Sequence, residues 1–290
     1  MIHSLESDLL SIDISSQGAE LMSIFSKKTK TEYLWQGDAD IWPQRAPVLF
    51  PFVGRLKDGQ YTYAGKTYKM PIHGFASNSE FSTSGISENN IVFTLEDSKE
   101  TRAIYPFSFT FRVMFIVKWN TLETIYQVVN KTNGPMYFSF GSHEGFRCPR
   151  QEGESFDDYY LEFDHDNFYN SLVILDSGLQ RDSFTVLENA KRIPLSYGLF
   201  KQDSIVFAGV PSGKVILGSH KNPARIEMAY DNAPNLVLWT QQNAPYICIE
   251  PWCGLPDFAD SDGELVNKEG IIALEKGETF NWRHSITIYE

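Results

Sequence analysis

Apolar and polar residues alternate with a period of two over much of the chain. Across 107–119, Phe107, Phe109, Phe111, Val113, Phe115, Val117 and Trp119 take the odd positions, with Ser108, Thr110, Arg112 and Lys118 among the even ones. Strand side chains project alternately to two faces, so this stretch predicts a long strand with one buried and one wetter face. Residues 122–130 follow the turn-like Asn120-Thr121 and are expected to pair back as a hairpin. Shorter strands are predicted at 9–14, 19–26, 33–35, 60–63, 66–68, 91–96, 159–163, 204–207, 214–218, 225–230, 236–240 and 280–289. Ala64-Gly65 reads as a tight turn between two of them. Helical periodicity is scarce, and residues 194–201 hold one turn or two. The pattern predicts an all-β fold, a large antiparallel β-sandwich. No linker, composition break or repeat with a period of about 20–50 residues divides the chain, so residues 1–290 are expected to form one domain.

One late strand carries a carboxylate to its tip. In YICIEPWCG at 246–254, Ile247 and Ile249 point to one face, and Tyr246, Cys248 and Glu250 to the other. Pro251 removes a ladder donor and is expected to end the strand. A half-buried carboxylate tends to a raised pKa, which suits a general base near neutral pH.

Three loops are rich in special residues yet border apolar strands. WPQRAPVLFPFVGRL at 42–56 carries three prolines, which prevent regular pairing, while Val48, Leu49, Phe50, Phe52 and Val53 are expected to be buried; Arg55 follows Gly54 near its end. PIHGFA at 71–76 presents His73 beside Gly74, which permits an unusual backbone angle. In MYFSFGSHEGF at 136–146, a strand continuing from Tyr137 would put Ser139, Gly141 and His143 on one face, with open space before the His. The acidic, aromatic FDDYYLEFDHDNFYN at 156–170 reads as strand and loop at a cleft rim.

Composition narrows the chemistry. Lys and Arg number 25 against 37 Asp and Glu, a formal net charge of -12, which disfavours nucleic acid and anionic membrane as partners. The 3 cysteines, Cys148, Cys248 and Cys253, argue against a disulfide scaffold and fit a reducing cytoplasm. Residues 1–12 show no signal peptide, and no apolar run reaches the roughly 18 residues of a membrane span. No Gly-rich phosphate loop or GxSxG elbow is present, so neither a nucleotide cofactor nor a serine nucleophile is expected.

Arg55, His73, His143 and Glu250 therefore stand out, each at a strand end or on an apolar loop. Each has a plain structural alternative: an ion pair for Arg55 or Glu250, a core hydrogen bond for either His. His73, His143 and Glu250 also form a two-His, one-carboxylate ligand set, although no HExxH-like pairing supports a metal.

PVLFPFVGRL at 47–56, HGFA at 73–76, SFGSHEGF at 139–146 and CIEPWCGLPD at 248–257 together resemble the signature segments of the aldose 1-epimerase (galactose mutarotase-like) family, in its LacX-type branch. GAEL at 18–21 and FNWR at 280–283 are similar in kind, so the resemblance spans nearly the whole chain. It implies a β-sandwich with an open sugar cleft, Glu250 as catalytic base and His143 as general acid. It further implies Arg55 and His73 as sugar-binding residues, with Asp203 in FKQDSIVF gripping hydroxyls. Two departures bear on substrate identity: the mutarotases proper carry His-Pro-Tyr-Phe where this chain has His143-Glu144-Gly145-Phe146, and Asn-Arg where it has Gly54-Arg55.

The implied reaction interconverts α and β anomers of an aldose. Glu250 takes the anomeric hydroxyl proton, His143 protonates the ring oxygen, the ring opens, and it recloses on the other face. Glu144 is expected to support a protonated His143, and Trp239 or Trp252 to lie against the sugar or pack in the core. No metal or organic cofactor is required. The implied partner is a small sugar, a hexose with or without phosphate, and a homodimer is left open. A hexose-6-phosphate 1-epimerase, with Arg45 near Arg55 holding the phosphate, is an alternative; a noncatalytic carbohydrate-binding protein and a purely structural sandwich are others.

Overall fold

The computed structural model describes residues 1–210 and 212–290. Among them, strands form one sheet of 14 strands, one of three and two of two. The strongly alternating stretch is the strand Phe109–Lys118, which pairs antiparallel with Thr121–Asn130. Trp119 departs from the expectation that it shares the buried face: it sits in the turn with a left-handed φ of 55° and is 64% exposed. The predicted hairpin Gln60–Tyr63 with Lys66–Lys69 forms, and Ala64 and Gly65 both take positive φ as a two-residue turn demands.

From one edge the large sheet runs Phe140–Gly141, Tyr246–Cys253, Asn235–Trp239, Ile205–Ala208, Tyr159–Leu175, Lys214–Ser219, Arg225–Tyr230, Thr279–Tyr289, Thr121–Asn130, Phe109–Lys118, Asn90–Glu96 and Ser82–Ser84. Successive strands are antiparallel. A twisted sheet this long curls on itself. Its first strand accordingly meets strands far along the order: the Phe140 ring lies 4.6 Å from Tyr126 and 5.3 Å from Trp282. One large apolar cluster fills the space between, giving the expected all-β sandwich.

Several elements differ from the sequence reading. Residues 33–35 form no strand; Leu34 makes one bridge to Phe146, and Trp35 N–H donates to Gly145 O. The strand expected at 159–163 runs on to Leu175 and pairs with Gly178–Pro194 in a long hairpin. Its second arm is mostly exposed and polar, so no buried face imposes alternation on it. Residues 194–201 hold one 3-10 turn, Tyr197–Phe200. A short helix, Lys99–Ile104, went unforeseen, although Ser98 and Thr101 form a capping box at its start. No helix among the described residues is long and apolar enough to cross a membrane.

The proline-rich loop at 42–56 is buried, as expected, and its backbone is satisfied in an irregular way. Leu49 exchanges hydrogen bonds with Gly141, Phe50 O accepts from Phe75 and Ala76 N–H, and Ser139 N–H donates to Pro51 O. Ser139 Oγ accepts from Val53 N–H at 3.0 Å. The loop thereby ties the 73–76 and 139–141 segments together.

Candidate active site

The strand Tyr246–Cys253 builds the floor of the site. Ile247, Ile249 and Cys253 enter the main core, whereas Tyr246, Cys248 and Trp252 belong to two small apolar clusters on the opposite face. Glu250 stands between those clusters, opposite Val237 in the ladder, and is 1% exposed. Pro251 does not end the strand, contrary to expectation. Its carbonyl accepts from Ser142 N–H at 3.3 Å, and a strand residue's N–H and C=O point to the same side. The missing donor therefore faces the gap where Ser142 and His143 leave the ladder, and no bond is lost.

That gap also positions His143. The expected continuous strand at 136–146 is broken into Met136–Phe138, Phe140–Gly141 and Glu144–Arg147, the last two pairing with Tyr246–Cys253 on either side of His143. The space over Gly141 itself is filled by Trp252, since a Cβ there would stand 2.4 Å from its indole Cδ1, while His143 opens onto a cavity. Gly141 is thus the footprint of a packed indole, whose Nε1–H donates to Ser142 O at 3.2 Å.

His143 Nε2 lies 3.3 Å from Glu250 Oε2. The contact lacks hydrogen-bond geometry: both Glu250 oxygens and His143 Nδ1 are buried without partners. Burial holds the Glu250 carboxyl well above the usual carboxylate range, reinforced by Glu144 and Asp203. Burial likewise depresses the His143 imidazole, and His73 adds to the effect. The expectation that Glu144 supports a protonated His143 fails. Glu144 alternates to the core side, where its Oε1 lies 3.1 Å from His284 Nε2. This buried Glu144–His284 pair was missed in the sequence, because nothing local links positions 144 and 284.

His73 takes a left-handed φ of 66° and Gly74 one of 77°. A Cβ on Gly74 would stand 2.2 Å from Phe50 O, so only glycine fits there. His73 Nδ1 accepts from Gly54 N–H at 3.0 Å, which assigns the proton of the neutral ring to Nε2. Burial first, and Arg55 second, bring its pKa down to about 4. Arg55 is held from outside: its carbonyl accepts from Asp257 N–H at 3.0 Å, and Asp257 Oδ2 accepts from Lys57 N–H. Asp257 Oδ1 is paired in turn with the buried Lys268 ammonium at 2.7 Å.

Arg55, His73, His143, Asp203 and Glu250 all line one cavity of about 330 Å³, together with Trp239 and Trp252. Asp203 enters from the segment before Ile205–Ala208, with φ of 90°. Arg45 is not among the lining residues. Trp42 is, and sequence reasoning missed it; its ring lies 5.2 Å from His143 and 5.4 Å from Trp239. Both Trp239 and Trp252 serve cavity wall and apolar cluster at once. The two-His ligand set is not what gathers most tightly: His143, Cys248 and Glu250 do.

The sequence model of the aldose 1-epimerase family matches residues 1–287. The chain belongs to the aldose 1-epimerase family. This makes it a carbohydrate epimerase, an isomerase of the mutarotase type. It is 32% identical over 294 residues to the chromosomal protein LacX of Lactococcus lactis subsp. lactis, covering 98% of each chain. The fold matches a galactose mutarotase related enzyme from Lactobacillus acidophilus with a TM-score of 0.96 and 37% identity, over 100% of this chain and 98% of that one. A galactose mutarotase-like protein from Lactobacillus casei aligns with a TM-score of 0.92 and 29% identity, over 100% of both chains. Against this aldose 1-epimerase background, Glu144-Gly145 after His143 is accommodated by the core-facing Glu144–His284 pair and by Gly145, whose Cβ would stand 2.7 Å from the Trp42 ring.

Proposed function

We propose that the chain interconverts the α and β anomers of an unphosphorylated aldose, with Glu250 as base and His143 as acid. The observation that carries this reading is the Glu250–His143 contact, with unpartnered carboxylate oxygens on a polar and aromatic cavity. Glu250 as carboxylate takes the anomeric hydroxyl proton, and His143 as imidazolium gives one to the ring oxygen. Ring opening thus turns an ion pair into a neutral carboxyl and imidazole, the states that burial favours in both groups. Reclosure reverses the roles. His73 Nε2–H and the Arg55 guanidinium donate to sugar hydroxyls, and Asp203 accepts from them. Each positioned proton transfer contributes on the order of 10²–10⁴-fold to the rate.

The wall favours a neutral sugar over a sugar phosphate. Arg55 is its one Lys or Arg among the lining residues, against the carboxylates of Asp203 and Glu250. Asp203 stands against Arg55, and His143 as imidazolium is offset by Glu250 as carboxylate, so a phosphate finds no net positive wall in either state of the pair. Polarimetry on freshly dissolved α-glucose and α-galactose, and on glucose 6-phosphate, tests the reading. Faster mutarotation of the neutral sugars supports it. A preference for the phosphate overturns the neutral-substrate assignment, and sugar binding by calorimetry without acceleration replaces catalysis with noncatalytic binding.

A further inference from the structure

We infer that the cavity floor is also a binding site for a thiophilic divalent cation, Zn²⁺ foremost, held by His143, Cys248 and Glu250, and that an ion there closes the sugar site. The inhibitory half rests on the function proposed above; the metal site does not. One ligand atom from each residue lies within 4.8 Å of the others. The 3.3 Å between His143 Nε2 and Glu250 Oε2 is close to the edge of a tetrahedron with metal–ligand bonds of about 2.0–2.2 Å. Cys248 joins them because it stands two residues before Glu250 on the same strand and shares its face.

The chemistry of the three groups agrees with the geometry. All are buried, and the two Glu250 oxygens and His143 Nδ1 have no hydrogen-bond partner. Buried polar atoms left without partners are where an absent ligand is to be sought. Burial keeps the imidazole neutral, with a lone pair free to bind metal. Burial also keeps the Cys248 thiol protonated, so an arriving ion must expel that proton, as coordination to Zn²⁺ does. Cys248 gives up one proton to solvent on forming its thiolate–metal bond, and the Glu250 carboxyl, which burial also favours in its protonated form, gives up another on binding as carboxylate. A sulfur, a nitrogen and one carboxylate suit Zn²⁺; Mg²⁺ and Ca²⁺ need six or so oxygens. His143 and Glu250 face the cavity, which leaves a fourth position for water. A bound ion occupies the lone pairs that the proposed reaction uses on both residues.

The test uses the whole protein, freed of metal by chelator dialysis. Calorimetric titration with Zn²⁺ is expected to show one site with proton release, and Co²⁺ a thiolate charge-transfer band that Zn²⁺ abolishes. Cys248→Ala, or Cys248→Ser if the first fails to fold, should weaken Zn²⁺ by at least about ten-fold, as loss of a metal-supporting group does, while metal-free mutarotation is retained. Zn²⁺ should slow mutarotation by the parent, competitively with sugar, and spare the variant. Absence of the Co²⁺ thiolate band, or equal Zn²⁺ affinity in parent and variant, overturns the site. Equal inhibition of both overturns the claim that this site closes the cavity. A metal site with no mutarotation in the metal-free parent upholds the site and removes the catalytic reading instead.

Discussion

His143 Nε2 and Glu250 Oε2 stand 3.3 Å apart with no hydrogen bond between them. They come from segments more than a hundred positions apart in the chain, joined because the Phe140–Gly141 and Glu144–Arg147 strands, either side of His143, pair in succession along one edge of the Tyr246–Cys253 strand that carries Glu250. Burial drives both toward neutrality, the carboxyl upward and the imidazole downward. A neutral carboxyl with a neutral imidazole holds the same proton count as an ion pair. The pair can therefore interconvert without exchange with solvent, which suits a reaction that moves two protons and returns them.

Glu250→Gln should abolish mutarotation to the extent of a lost proton transfer, on the order of 10²–10⁴-fold by polarimetry. It should also stabilise the protein at neutral pH. A carboxyl whose folded pKa is raised above its ordinary 4.5 binds its proton better when folded, so its contribution falls as pH rises above that value. Melting temperatures of parent and variant should be close at pH 4.5 and separate toward pH 8. A variant that melts below the parent at pH 8 contradicts the assignment of a destabilising buried carboxylate.

His73→Asn should keep the loop and lose the donor. Asn tolerates left-handed φ, and its Oδ1 can accept from Gly54 N–H as Nδ1 does. KM for sugar should rise more than kcat falls, because Nε2–H is gone. The imidazole, with its pKa lowered from 6.5 to about 4, contributes stability that is present above pH 6.5 and is lost on acidification toward 4, roughly 3 kcal/mol as an upper figure. The variant should show a shallower loss over that window in denaturant titrations.

Gly141→Ala tests the indole packed on the bare glycine. A Cβ 2.4 Å from Trp252 Cδ1 must displace the ring or the strand, at about 1–3 kcal/mol for an overpacked site. Activity should fall and tryptophan emission should shift; an unchanged emission spectrum with full activity would refute the contact.

Lys268→Met should destabilise the protein by about 3–5 kcal/mol, since it strands the buried Asp257 carboxylate. Because Asp257 also holds the Arg55 and Lys57 backbone, sugar affinity should fall with stability. Adding Asp257→Leu should recover part of the stability without restoring affinity, as compared by urea titration and calorimetry.

Glu144→Gln removes a carboxylate that raises the Glu250 pKa from the far side of the strand. The acid limb of the kcat/KM profile should move to lower pH. A profile that loses amplitude without moving assigns Glu144–His284 to packing alone.

Alternation along the chain by itself determined which face each strand residue takes. It put Glu250 with Tyr246 and Cys248 and away from Ile247 and Ile249, and it marked the hairpin of Phe109–Lys118 with Thr121–Asn130. The motif segments carried the residue types of the site, because side-chain chemistry is local. Tertiary structure decided which of those segments meet. Arg55, His73, His143, Asp203 and Glu250 converge because strands distant in sequence neighbour one another at one end of the large sheet and two irregular loops are bonded to them and to each other, and no local pattern encodes that pairing. It likewise decided that Pro251 continues its strand, since the missing donor faces a gap set by another segment. The polar hairpin arm Gly178–Pro194 left no trace in the pattern, because a strand without a buried face has no need to alternate. The protonation of the site was also beyond the sequence: burial and neighbours set it, and both are properties of the packed molecule.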